Sequence, residues 1–114
     1  MKKHVVLAGA SEATDTELLT TLLTARKKLD IIVCLCYEDT ANMIINAPLD
    51  IAIIGKYAQG KDQVGEADEA ALQICRQNSR KLIKLCQQRD DVSYVLVDTE
   101  ENPTWLEDLK KLLA

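Results

Sequence analysis

Leu49-Asp50-Ile51-Ala52-Ile53-Ile54-Gly55 is apolar without a break from 51 to 54, with none of the alternation of a strand that keeps one face wet. Its three isoleucines are β-branched and favour extended backbone, and an unbroken run of this length fits a strand covered on both faces. Outward from it, Val5-Val6-Leu7-Ala8, Ile31-Ile32-Val33-Cys34-Leu35-Cys36 and Tyr94-Val95-Leu96-Val97 repeat the pattern. A helix-like segment follows each of the four. Strands alternating with helices through short connections predict right-handed crossovers and one parallel sheet. The expected fold class is α/β, a three-layer αβα domain with a four-stranded parallel sheet in the order 2-1-3-4. This is the flavodoxin-like order without its fifth strand.

The helices are expected from their own signals. Thr14-Asp15-Thr16-Glu17 has the form of a capping box and predicts a first helix starting near Thr14 or Asp15, with Leu18, Leu19, Leu22, Leu23 and Leu29 on one apolar face. Arg26, Lys27 and Lys28 suit the negative end of that helix in its last turn. The second helix is expected over 39–46, stopped by Pro48. The third is expected over 66–88, with Ala67, Ala70, Ala71, Ile74, Cys75, Leu82, Leu85 and Cys86 at helical spacing. The last is expected to open at Asn102-Pro103, with proline in its first turn, and to run through Trp105, Leu106, Leu109, Leu112 and Leu113.

Composition limits the function classes. A chain of 114 residues supports one domain, residues 1–114, and 47% hydrophobic content with two prolines and four glycines argues against disorder. The 18 acidic residues outnumber 14 lysines and arginines, so a surface for nucleic acid has no electrostatic footprint. Met1-Lys2-Lys3 is followed by too short an apolar run for a secretory signal, and no run approaches the length of a membrane span. A soluble, cytoplasmic protein without membrane or nucleic-acid partners is the expectation. Cys34, Cys36, Cys75 and Cys86 are spaced C-x-C and C-x10-C, which matches neither a zinc site nor a C-x-x-C redox pair. Core packing of free thiols is the expected use, with Cys34 and Cys36 on one face of the second strand.

In an open parallel sheet, ligands bind beyond the carboxyl ends of the strands where the order reverses. That point lies between the first and third strands. Gly9, Ala10, Ser11 and Thr14 meet Gly55, Lys56 and Tyr57 there, and they are the candidate ligand-binding residues. The loop over 56–65 is longer than most strand-to-helix connections, and its Lys56, Tyr57 and Lys61 are candidates to hold an anion. No metal site is expected, although Glu12 and Asp98 are the carboxylates nearest the crevice and would suit a hard cation. Arg76, Arg80 and Lys84 on the polar side of the third helix, with Trp105, are candidates for a partner-binding surface.

Three family resemblances bear on these candidates. Val5-Val6-Leu7-Ala8-Gly9-Ala10-Ser11 resembles the start of a dinucleotide-binding Rossmann domain with a G-x-x-G-x-x-G turn. Glu12 and Asp15 stand where its second and third glycines would be, and their charges would repel a pyrophosphate, so no cofactor is expected. The stretch DTANMIINAPLDIAIIG, residues 39–55, resembles the second helix and third strand of bacterial response-regulator receiver domains. Gly55 stands at the family's phosphoaccepting aspartate, and Gly9 and Ala10 stand at its acidic Mg²⁺ pair, with Glu12 displaced from it. Thr99 is a shifted match to its Ser or Thr, and the lysine after a fifth strand has no counterpart. The resemblance implies a pseudo-receiver, unable to accept a phosphoryl group and acting by protein contact. The order of elements and Leu49-Asp50-Ile51-Ala52-Ile53-Ile54-Gly55 are also similar to the IIB phosphocarrier components of sugar phosphotransferase systems. Ala8, Gly9 and Ala10 hold the place of their catalytic cysteine.

The expected function is therefore a non-catalytic regulatory or protein-interaction module whose partner is another protein or a second copy of the chain. The alternative is a small-molecule, phosphate or nucleotide-binding protein, or a small enzyme, that uses the crevice.

Overall fold

The computed structural model describes residues 2–9, 12–34, 36–58 and 68–114, with side chains except at 12–15. Along the chain lie β1 (Lys3–Ala8), α1 (Glu12–Thr24), β2 (Leu29–Cys34), α2 (Tyr37–Asn46), β3 (Ile51–Gly55), α3 (Glu69–Gln87), β4 (Ser93–Val97) and α4 (Trp105–Leu113). The strands form a single parallel sheet in the order β2-β1-β3-β4. This is the expected three-layer α/β arrangement with flavodoxin-like strand order.

Successive residues of a strand point to opposite faces, which explains why β1 and β3 read as unbroken apolar runs. Val5, Leu7 and Ile53 enter a core with Leu18 and Leu22 of α1 and Leu109 of α4. Val6, Ala52 and Ile54 enter a second core with Ile44 of α2 and Leu82 and Cys86 of α3. The register sets Val5 beside Ile31 on one side and beside Ile51 on the other, so the first core continues across strand boundaries.

The edges depart from the expectation of full cover. β2 has β1 alone beside it, and its Ile32 and Val33 are 47% and 59% exposed. Tyr94 on β4, the opposite edge, is also exposed. β2 ends at Cys34, and Cys36 is the half-buried residue before α2, so the two cysteines do not share a strand face.

Helix boundaries and faces also differ. Gly9, at φ +64°, turns the chain soon enough for α1 to begin at Glu12, so Thr14 lies inside the helix rather than capping it. Leu18 and Leu22 are buried, while Leu19 and Leu23, about 100° around the helix, stay in solvent. Leu29 belongs to β2, and Arg26–Lys28 form a 3-10 turn beyond α1. α2 starts at Tyr37, with Glu38 and Asp39 in its dipole-favoured first turn, and stops before Pro48. α3 is capped by the Asp68 carboxylate, which accepts the Ala71 N–H at 3.1 Å; residues 66 and 67 lie outside the described residues. Ile74 faces away from the stripe and is exposed. α4 begins at Trp105, because Asn102 is held in the preceding turn: its side chain donates to the Leu96 carbonyl and its N–H to that of Asp98. No described helix is long and apolar enough to cross a membrane.

At the amino-terminal rim of the sheet, side chains fasten the layers. Asp50 accepts the His4 N–H on its carboxylate at 2.7 Å and the Ser93 N–H on its carbonyl at 2.9 Å. Arg89 donates to the carbonyls of Ile44 and Ala47 at the end of α2 and to both oxygens of Asp91. Those bonds from Arg89 favour the ionised carboxylate and hold the Asp91 carboxyl below its usual value. A lowered folded pKa contributes stability that is present above the ordinary carboxylate value of about 3.9 and lost as pH falls through the lowered one. Urea midpoints of the chain and of Asp91→Asn are therefore expected to differ by a constant amount above about pH 5 and to converge below it. A gap that persists at the acid end would rule this pair out as a source of acid sensitivity.

Candidate functional site

The carboxyl ends of β1, β3 and β4 lie side by side, and the candidate site is built from the residues just beyond each strand. After β1, Gly9 packs directly on the backbone of Tyr57 and Ala58. A Cβ there would sit 2.6 Å from the carbonyl carbon and oxygen of Ala58 and closer still to the Tyr57 carbonyl oxygen. Gly9 is required twice over, for its positive φ and for this approach. Main chain of Tyr57 and Ala58 thus lies directly against Gly9 at the strand-order reversal. The Ala58 N–H is held in turn by donating to the Cys75 carbonyl of α3 at 3.2 Å.

After β3, Gly55 is buried, and its carbonyl accepts the buried Ser79 hydroxyl at 2.8 Å. Lys56 turns toward β4, with its ammonium 3.3 Å from a Glu100 oxygen and 5.6 Å from the centre of the Tyr57 ring. After β4, Asp98 is buried, and its carboxylate accepts the Glu100 N–H at 2.9 Å within its own turn. Arg80 of α3 reaches Glu101 at 3.6 Å. Lys56, Arg76, Ser79, Arg80, Asp98 and Glu101 surround a cavity of about 30 Å³, room for one water and no organic ligand. The Arg76 Nε is buried there without a hydrogen-bond partner among the described residues. Among the described residues, three cations stand against three carboxylates on this rim, and two of the cations are in ion pairs.

The structure thus brings Gly9, Gly55, Lys56 and Tyr57 together as expected. Ala10 and Ser11 lie outside the described residues, as do the side chains of Thr14 and Glu12 and the loop over 59–67 with Lys61. Arg80 and Lys84 are exposed on α3 and Arg76 is half-buried. Trp105 is 3% exposed and packs in the core beside Leu109, so it adds no area to a docking surface. Ser79 is the residue the sequence reading missed. It completes the stripe Leu72, Cys75, Ser79, Leu82, Cys86, whose three- and four-residue spacing marks position 79 as buried whatever its polarity. Among the described residues no three His, Cys, Asp or Glu side chains gather into a metal-ligating group.

All four cysteines are free thiols. Burial pushes the Cys86 thiol up to about 11 and raises Cys34 as well, which removes the thiolate needed for reaction.

Compared with models of protein families, with curated proteins and with solved structures, the chain matches none.

Two outcomes are expected from this geometry. Gly9→Ala is expected to destabilise the chain by about 2 kcal/mol or more, because a left-handed residue gains a Cβ against fixed backbone; an unchanged urea midpoint would show that the 57–58 segment yields. A thiol reagent at pH 8 is expected to label Cys36 well before Cys34, Cys75 and Cys86, as read by mass spectrometry of the native protein. Equal labelling would contradict the burial.

Proposed function

We propose that this protein is a non-catalytic regulatory or protein-interaction module, built like a receiver domain that cannot accept a phosphoryl group. The observation that carries the reading is Gly55. The end of β3, where a receiver has its acceptor carboxylate, has no side chain here, and the Gly55 carbonyl is already bonded to Ser79. The surrounding charges support it. Among the described residues, Lys56 is matched with Glu100 and Arg80 with Glu101, so these two cations of the rim already have carboxylate partners. The backbone of Tyr57 and Ala58 packs directly against Gly9, which leaves no space for a side chain at the first residue of that turn. What the fold offers is a firm scaffold with exposed apolar side chains at its margins, and such side chains gain from contact with another protein.

Amide NMR of the labelled chain, titrated in turn with Mg²⁺, inorganic phosphate, nucleotides and a nicotinamide dinucleotide, tests this directly. The amides of Gly9, Gly55, Lys56 and Tyr57 are expected to stay in place throughout. Saturable shifts confined to those residues would establish a working crevice and overturn the interaction reading.

A further inference from the structure

β2 forms one edge of the sheet, and among the described residues its outer backbone N–H and C=O groups meet no other strand. Proteins that must not pair at such an edge blunt it with proline, bulges or charges. Leu29–Cys34 has no proline, and its single charge, Asp30, lies 3.4 Å from His4 on the neighbouring strand. In place of blunting, Ile32 and Val33 stand exposed on opposite faces of the strand. Leu19 and Leu23 of α1 are exposed as well, and they lie one turn apart on a single flank of that helix.

The charges at the two ends of β2 are opposite. Exposed Arg26, Lys27 and Lys28 precede it, and exposed Glu38 and Asp39 follow it in the first turn of α2. We propose that the chain forms a two-fold homodimer through antiparallel pairing of β2 with β2 of a second copy, which joins the two sheets into one. Centred on Ile32, this pairing sets Ile32 against its own copy and Ile31 against Val33, closing both exposed side chains at the seam. It also sets the basic start of each strand beside the acidic end of the other. Parallel pairing would set basic against basic. The opposite edge lacks this pattern: β4 follows Arg89-Asp90-Asp91, in which Arg89 already pairs with Asp91, and precedes Glu100 and Glu101, so antiparallel self-pairing would not set a basic start against an acidic end. The dimer deepens the interaction reading, on which it rests, by naming the partner.

Sedimentation velocity of the full chain decides it. A monomer–dimer equilibrium with Kd of about 1–100 µM is expected for a narrow seam of this kind, weakening as salt is added. Val33→Lys is expected to weaken it tenfold or more, with an unchanged circular dichroism spectrum because position 33 is exposed in the monomer. Glu38→Arg is expected to weaken it too, and adding Arg26→Glu to that variant to restore it. A chain that stays monomeric across the range, or a dimer indifferent to Val33→Lys and to the charge exchange, would overturn the proposal. Such a result leaves the interaction reading standing with a different partner, whereas ligand-induced shifts at Gly9 and Gly55 would sink that reading by themselves.

Discussion

Complete burial of β3 obliges each of its backbone polar groups to find a partner inside the protein, since none can turn to water. β1 and β4 supply those partners along its length, and Ser79 takes the last carbonyl, Gly55. The rest of the architecture follows from that obligation. Parallel neighbours need crossovers long enough to return the chain to the same end, and the crossovers are helices that cover the sheet. Because side chains of a strand alternate in direction, one buried strand feeds two cores at once. Ile53 belongs to the core with α1 and α4, and Ile54 to the core with α2 and α3.

The interior strands were legible in the sequence because burial on both faces leaves an unbroken run of apolar, β-branched residues. The edge strand was misread for the same reason. Ile31-Ile32-Val33 looks like an interior run, yet two of its three side chains face solvent, and hydrophobicity alone does not say whether the cover comes from the chain's own helices. Leu19 and Leu23 show the same ambiguity on α1: four leucines in two adjacent pairs fix the helix but leave open which pair it buries. The crevice was legible as a place, since strand order fixes it. The packing of Tyr57 and Ala58 on Gly9 was not, because that contact is between backbones and has no side-chain signature beyond a glycine.

Receiver domains and phosphocarriers use the carboxyl rim of this sheet for chemistry because several strand ends converge there on one small volume. The same convergence in this chain gathers Lys56, Arg80, Glu100 and Glu101 into contacts that consume their charges within the molecule. Asp98 is the one buried carboxylate on the rim among the described residues, and its hydrogen bond holds the turn that leads to Asn102 and α4. The residues after β4 are thus explained by how they shape the chain.

The two rims of the sheet are fastened by unlike means. At the amino-terminal rim, Asp50 and Arg89 bind main-chain groups of other elements at 2.7 to 2.9 Å, beside the Arg89–Asp91 ion pair. The carboxyl rim is laced by Lys56–Glu100 and Arg80–Glu101, pairs at 3.3 and 3.6 Å whose carboxylates are open to solvent and for which small ions compete. Added salt would weaken the side-chain pairs at both ends, but at the amino-terminal end the bonds from side chains to main chain remain to hold the layers. The fold is tied more firmly where its strands begin than where they end.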